Sequence, residues 1–279
     1  MRGGLTKCYA AARATLGAMG YELEIRKRLG SRLRDESHEL NINVACGRNT
    51  IRGFHSLDIY TPHYYKSKAH FLESRVEYDL RDDALPYGDG AVDNIYVSHA
   101  IEHVEDHAVD LFLRESHRVL REGGVLRIAC PDARFLFAVS QFDNDYWAWR
   151  ISSLSNASRY STDWDKCSSA DFLLRELATP RMRFYKGRIE EKVVQPEDVH
   201  GLEYSEFTAK LRAGLQFRKD YPGDHINCWD YERLRCHGER AGFEHILESK
   251  YRGSVSGAMR GAEFDRTHPQ MSLYVDMVR

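Results

Sequence analysis

Five short apolar runs in the first half of the chain each end on a residue type that can meet a ligand. Leu40 to Ala45 (LNINVA) runs into Cys46-Gly47, and His55 to Tyr60 (HSLDIY) carries Asp58 followed by Ile59. Ser74 to Leu80 (SRVEYDL) carries Asp79-Leu80, Val92 to Ser98 (VDNIYVS) delivers Ser98-His99, and Val125 to Cys130 (VLRIAC) closes on Pro131-Asp132. A glycine at position 47 lets a ligand approach the backbone, because no side chain intervenes. Asp58 is suited to accept hydrogen bonds from the two hydroxyls of a ribose. Asp79 could accept from an exocyclic amine on adenine, with Leu80 as an apolar wall. Each feature has an equally weighted structural reading, a turn glycine or a helix-capping carboxylate. Their order and spacing together are the stronger signal.

The elements that must position these residues follow from periodicity. The five runs read as strands, and the apolar spacing from about Val104 to Arg121 predicts a helix stopped by Gly123-Gly124. A helix is expected at 5–37, another at Tyr231 to Ala241, and further strands at His245 to Tyr251 and Ser272 to Val278. Strands alternating with helices or turns imply an α/β domain with a parallel sheet, in which ligands bind above the carboxyl ends of the strands. The regular rhythm breaks between about Phe137 and Gly223, a stretch too long for a simple connection.

The ordered motifs resemble those of class I S-adenosylmethionine-dependent methyltransferases, in the branch whose first motif reads LNxGCG. The matching residues are Leu40-Asn41-Ile42-Asn43-Val44-Ala45-Cys46-Gly47, then Gly53 to Asp58, Asp79-Leu80-Arg81, Leu85-Pro86-Tyr87 and Val92 to Tyr96. Ser98-His99-Ala100-Ile101-Glu102-His103 resembles the family's SHxLEH element, and Val119 to Gly124 (VLREGG) its VLKPGG element. His225, Trp229, Ala241-Gly242-Phe243 and Ser272 to Val275 complete the resemblance. It covers roughly 40–137 and 223–279. It implies a Rossmann-like sheet, mostly parallel with the last strand antiparallel, an inserted cap at 138–222 and an N-terminal helical segment at 1–39.

The resemblance also implies S-adenosyl-L-methionine as cofactor, held by Asn43, Ala45, Cys46, Gly47, Asp58, Ile59, Asp79, Leu80 and Ser98. Methyl transfer to an oxygen needs a base for its proton. His99 is the first candidate and His225 the second; the alternative for His99 is a packing or hydrogen-bonding role. Glu102 is expected to cap or brace the following helix. The chain departs from the family pattern at Asn43, Ala45 and Asn49, where an acidic residue and two glycines are usual. The ten or so residues from Gly47 to Asp58 leave no room for a full crossover helix. These departures keep a second reading open, a non-catalytic binding scaffold on the same fold.

A third reading comes from His99-Ala100-Ile101-Glu102-His103, which spells the HxxEH pattern of inverted zinc peptidases, with Glu176 placed as a third ligand. That pattern needs both histidines on one helical face, whereas His99 directly follows a strand. No resident metal is expected. The six cysteines are scattered, with no CxxC pair, and read as free thiols.

All four tryptophans lie after residue 146, and Tyr146-Trp147-Ala148-Trp149 reads as the core of the cap or as flat faces for an acceptor. The basic run Arg181, Arg183, Lys186 and Arg188 could hold an acceptor's phosphate or carboxylate. The 279 residues carry 40 Lys+Arg against 42 Asp+Glu, a formal charge of −2, which argues against coating nucleic acid. No apolar run approaches the ~18 residues a membrane crossing needs. The expected setting is cytoplasmic, with a small-molecule or glycan acceptor, an anionic one if the basic run faces the site.

Overall fold

The computed structural model describes residues 39–141, 145–155, 169–182 and 201–279. The expected helix at 5–37, Cys8, Cys167, Trp164, Arg183, Lys186 and Arg188 lie outside them. The sheet strands are β1 (Asn41–Val44), β2 (Phe54–Asp58), β3 (Val76–Glu77), β4 (Val92–Ser98), β5 (Leu120–Pro131), β6 (His245–Glu248) and β7 (Ser272–Val278), in spatial order β3-β2-β1-β4-β5-β7-β6. The first five are parallel, while β7 runs antiparallel to both neighbours, β5 and β6. This mostly parallel α/β sheet is the Rossmann-like arrangement the sequence predicts. Strand order reverses at β1 and β4, which makes the crevice above their carboxyl ends the natural ligand position.

Among the described residues the α-helices are α1 (Lys68–Ser74), α2 (Asp106–Val119), α3 (Ala133–Ser140), α4 (Asp145–Ser155), α5 (Ser169–Leu177), α6 (Tyr204–Arg212) and α7 (Tyr231–Ala241). The amphipathic spacing of α2 buries Ala108, Val109, Phe112, Leu113, Ser116 and Val119. These join Ile42, Val44, Leu57, Ile95, Val97, Ile128 and Val275 in the main core. The expected Gly123-Gly124 stop of α2 is corrected: the helix ends at Val119 and the chain is extended from Leu120. The two glycines instead sit at a register shift between β4 and β5, with Gly123 at φ +70°. A Cβ on Gly124 would come within 3.1 Å of the Asp93 carbonyl, so this crossing requires glycine.

No helix links β1 to β2, as the short spacing implied. The sheet face beside that link is covered from far along the chain. Ile51, Tyr96 and Val125 pack with Met259 and Phe264, and Phe54 meets Phe264 edge-on at 5.2 Å. Beneath this patch Arg127, fully buried, bonds Asp265 at 2.6 Å and Asp276 at 3.0 Å.

The helices after β5 gather a second cluster, built on Leu136, Trp147, Phe172, Leu173, Leu174, Phe207 and Leu211, with Cys228 and Met271 from the sheet end. Trp147 is core, its indole N–H donating to the Val139 carbonyl at 3.1 Å, while Trp149 is 38% exposed. Trp229 belongs to the main core instead, donating to the Ile101 carbonyl at 3.1 Å. No described helix is long and apolar enough to cross a membrane.

Candidate active site

The carboxyl ends of β1, β2 and β4 and the turn after β3 open into a cleft of about 280 Å³. Its lining includes Ala45, Cys46, Gly47, Asp58, Ile59, Asp79, Leu80, Ser98 and His99. Eight of the nine sequence-predicted cofactor residues therefore share one cavity wall. The ninth, Asn43, is not in that wall: it is buried, and its amide donates to the Asn49 carbonyl at 2.8 Å, closing the loop after β1. Two of the three unusual positions of the first motif, Asn43 and Asn49, thus meet each other directly.

The loop after β1 is left-handed at two places, with Ala45 at φ +50° and Gly47 at φ +54°. At Ala45 this conformation costs about 1–2 kcal/mol, which is the physical sense of the glycine usually found there. Around Gly47 a Cβ would find no protein atom within 4 Å, so the backbone faces open space. Burial, with the Asp58 carboxylate beside it, pushes the Cys46 thiol up to about 11. Cys46 therefore presents an uncharged wall.

Asp58 accepts from the Ile59 N–H at 2.9 Å and from the Tyr65 hydroxyl, and burial raises its carboxyl above the ordinary range. Asp79 is clamped by Arg81, which donates through Nε at 3.0 Å and Nη2 at 2.6 Å. The Arg81 guanidinium in turn lies 4.0 Å over the Phe217 ring. Tyr64, Tyr78, Arg81, His103, Phe217, Pro222 and Thr267 also line it, and sequence reasoning missed all of them as cleft residues. Arg81 had a signal as the third residue of the DLR element, and His103 as the last of the SHxLEH element.

His99 sits at φ +52° immediately after β4, a backbone turn that aims its ring along the cleft floor. Its Nδ1 lies 3.1 Å from Glu102 Oε1 and its Nε2 2.8 Å from the Ser272 hydroxyl. Residues Ile101–His103 form a single 3₁₀ turn. The helix that HxxEH requires does not form, so the peptidase arrangement of His99 with His103 is absent. The cap position of this turn is Ala100, and Glu102 is buried within the turn, facing imidazoles. Burial alone would raise its carboxyl, yet His99 and His103 outweigh that and hold it at about 2.

A second cavity of about 210 Å³ shares His99, His103 and Thr267 with the first and adds Arg175, Glu176, Thr179, His225 and His268. His225, the second predicted base, lines this cavity rather than the first cleft. Its Nδ1 donates to the Glu176 carbonyl, and burial with His103 alongside lowers it to about 4, so it is neutral. Glu176, expected as a zinc ligand only in the peptidase reading, is buried between Arg150 and Arg175. These two arginines overcome the cost of burial and hold it at about 2. Arg181 turns away from the site: its Nε donates to the Leu211 carbonyl at 2.7 Å near the end of α6. Asp132 is a helix cap, accepting from the Phe135 N–H at 2.9 Å.

Residues 48–128, from the loop after β1 into β5, match the family described as a methyltransferase domain. Among solved structures, an S-adenosylmethionine-dependent methyltransferase from Mesorhizobium loti matches at 15% identity, covering 95% of this chain and 96% of that one, with a TM-score of 0.41. A protein from Pyrococcus horikoshii matches at 14%, covering 97% and 90%, with a TM-score of 0.42. The apo methyltransferase SibL matches at 11% with a TM-score of 0.40, and this chain, matched over 88% of its length, spans 51% of that one. No curated protein matches. The match marks 48–128 as similar to a methyltransferase domain, carried on a Rossmann-like sheet, and the cofactor that such a domain implies is S-adenosylmethionine.

Proposed function

We propose that the protein O-methylates a small polar acceptor, a sugar, glycan precursor or related metabolite. The observation that carries this reading is the second, polar cavity that meets the cofactor cleft along His99 and His103. The open backbone at Gly47, the Asp58 carboxylate and the Leu80 wall fit a ribose-bearing, adenine-bearing ligand. Bound S-adenosylmethionine supplies an electrophilic methyl group on a sulfonium. The helices of 138–222 act as a cap that holds the acceptor in line with that methyl and excludes water, which supplies much of the rate. Arg175, which lines the second cavity, offers donors to acceptor oxygens.

His99 is the base in this reading. The Glu102 carboxylate, 3.1 Å from Nδ1 but out of line for a hydrogen bond, favours the proton on that nitrogen by its charge, and Nε2 meets an acceptor hydroxyl when Ser272 turns its own hydroxyl to the Thr267 or His268 carbonyl. As the acceptor oxygen bonds to the methyl carbon, its proton passes to His99 Nε2, and the carbon–sulfur pair stays on sulfur. The protonated ring is balanced by the ionised Glu102.

The scaffold reading draws on a specific observation: Tyr65 and Arg81 already engage the two carboxylates, Asp58 and Asp79. Mass spectrometry of ligand released from the purified protein, followed by a screen of sugars and metabolites with methyl-labelled cofactor, separates the two. Released S-adenosylhomocysteine and label on a hydroxylated small molecule support the enzyme. Label on a protein or nucleic acid overturns the acceptor class, and no cofactor binding by calorimetry favours the scaffold.

A further inference from the structure

We propose that Glu102, His103 and His225 form a binding site for one divalent transition-metal ion of the zinc class, set between the cofactor cleft and the second cavity. Each of the three offers one ligand atom, and these atoms lie within 4.8 Å of one another. A bound ion with bonds of about 2.0–2.2 Å would draw them in by roughly 1 Å.

The hydrogen bonds around the cluster are those of a prepared ligand set. His103 Nδ1 lies 2.9 Å from the Asp224 carbonyl, and His225 Nδ1 meets the Glu176 carbonyl. A carbonyl only accepts, so both Nδ1 atoms carry the proton and both Nε2 atoms keep a lone pair. This is how metal-binding imidazoles are oriented by the shell outside them. His103 Nε2 is 3.9 Å from Glu102 Oε1, and the two imidazoles meet edge-on at 4.8 Å.

Glu102 supplies the independent observation. It is only 1% exposed, yet neither carboxylate oxygen has an aligned hydrogen-bond donor within the protein. A buried carboxylate left in that state calls for a partner, and two adjacent imidazole lone pairs are not one. A cation satisfies all three groups at once, and His99, 3.1 Å from Oε1, would brace the carboxylate from behind.

The backbone holds the three ligands rigidly although His225 is far along the chain. The Glu102 carbonyl accepts from Ile226 and Asn227 N–H groups at 2.8 and 3.1 Å. His225 is pinned on both sides to Thr179, through its N–H at 3.1 Å and its carbonyl at 3.0 Å. Two imidazoles and one carboxylate suit zinc, cobalt or iron better than magnesium or calcium. Three protein ligands leave coordination positions open toward the second cavity. Resting on the methyl-transfer reading, the ion would bind an acceptor oxygen there and lower its pKa, with His99 still receiving the proton.

The test uses the full chain stripped of metal with chelator. Zn²⁺ is titrated calorimetrically and Co²⁺ by its visible absorption, and S-adenosylhomocysteine affinity is measured on the same samples. One equivalent of each ion is expected, with a rise in unfolding temperature. Glu102→Gln and His225→Asn should each cost more than the ~10–100-fold in affinity typical of a change outside the ligand shell, and His99→Gln about that much. His245→Asn, on exposed β6, should leave binding intact. Glu102→Gln preserves shape, so it decides the matter should His225→Asn fail to fold. No stoichiometric Zn²⁺ or Co²⁺ binding by the wild type, or unchanged affinity in Glu102→Gln, overturns the site. Either result with intact S-adenosylhomocysteine binding leaves the methyltransferase reading standing.

Discussion

Asp58 is the residue on which the cofactor reading turns, because its carboxylate ends β2 at the cleft wall and is only 7% exposed. Hydrogen bonds to a charged group are worth about 1.5–3 kcal/mol, so Asp58→Ala should weaken S-adenosylhomocysteine binding by roughly 10–100-fold in calorimetry. Unchanged affinity would remove Asp58 from the site. The glycine and strand-end acids were legible in the sequence because each strand announces its own end. Tyr65 and Arg81 were not, since the groups they touch become neighbours only once the sheet is assembled. The same holds for the imidazole cluster. His99, Glu102 and His103 stand in one motif, but His225 belongs to a segment whose contact with that motif, the Asp224 carbonyl with His103, spans 121 positions.

Among the elements, alternation and amphipathic spacing located β4, α7 and β7 to the residue, while β3 shrank from Ser74–Leu80 to Val76–Glu77 and α1 was missed. The reason for the loss is local: Tyr78 N–H turns to the Asp58 carbonyl and the chain then enters the Asp79 turn. The helices of the insertion had no strand rhythm beside them to set their limits. The end of α7 carries a clear constraint, Gly242 at φ +104°, where a Cβ would meet the His117 ring at 3.2 Å. Gly242→Ala should therefore cost more than the about 1–2 kcal/mol of backbone strain alone, read from the denaturant midpoint.

The packing of α2 against α7 also carries a pH signature. Burial lowers both His117 and His237 below the ordinary imidazole value, with Arg279 adding to the effect at His117. The unfolded chain takes up protons below about pH 6.5 that the folded chain refuses. Their contribution to stability is full above that value and is lost as pH falls through it toward the lower folded values. Unfolding midpoints should drop on acidification, and drop less steeply in a His117→Phe, His237→Gln double variant. Equal slopes would show that these two groups do not titrate differently on folding.

At the scale of the whole molecule, Arg127 joins the sheet to the segment after β6. Besides Asp265 and Asp276, buried as it is, it reaches the Lys250 carbonyl at 2.8 Å. Arg127→Met would strand two buried carboxylates, at a cost of about 3–5 kcal/mol in chemical denaturation. Adding Asp265→Asn and Asp276→Asn should recover part of it. A loss below about 1 kcal/mol would mean that the triad is not what fastens this segment. Nothing in the sequence marked this arginine, because its partners come from two separate later stretches.

The patch formed by Tyr96, Phe54 and Phe264 has a consequence for how the protein is made. Tyr96 and Asp265 are 169 positions apart, yet the cover of the early strands depends on that pairing. Contacts of such span form late and slow the search for the native state. On the ribosome, the half that carries the cleft would wait, one face bare, until residues past 264 have emerged, and nascent chains paused earlier should be captured by chaperones and cut readily by proteases.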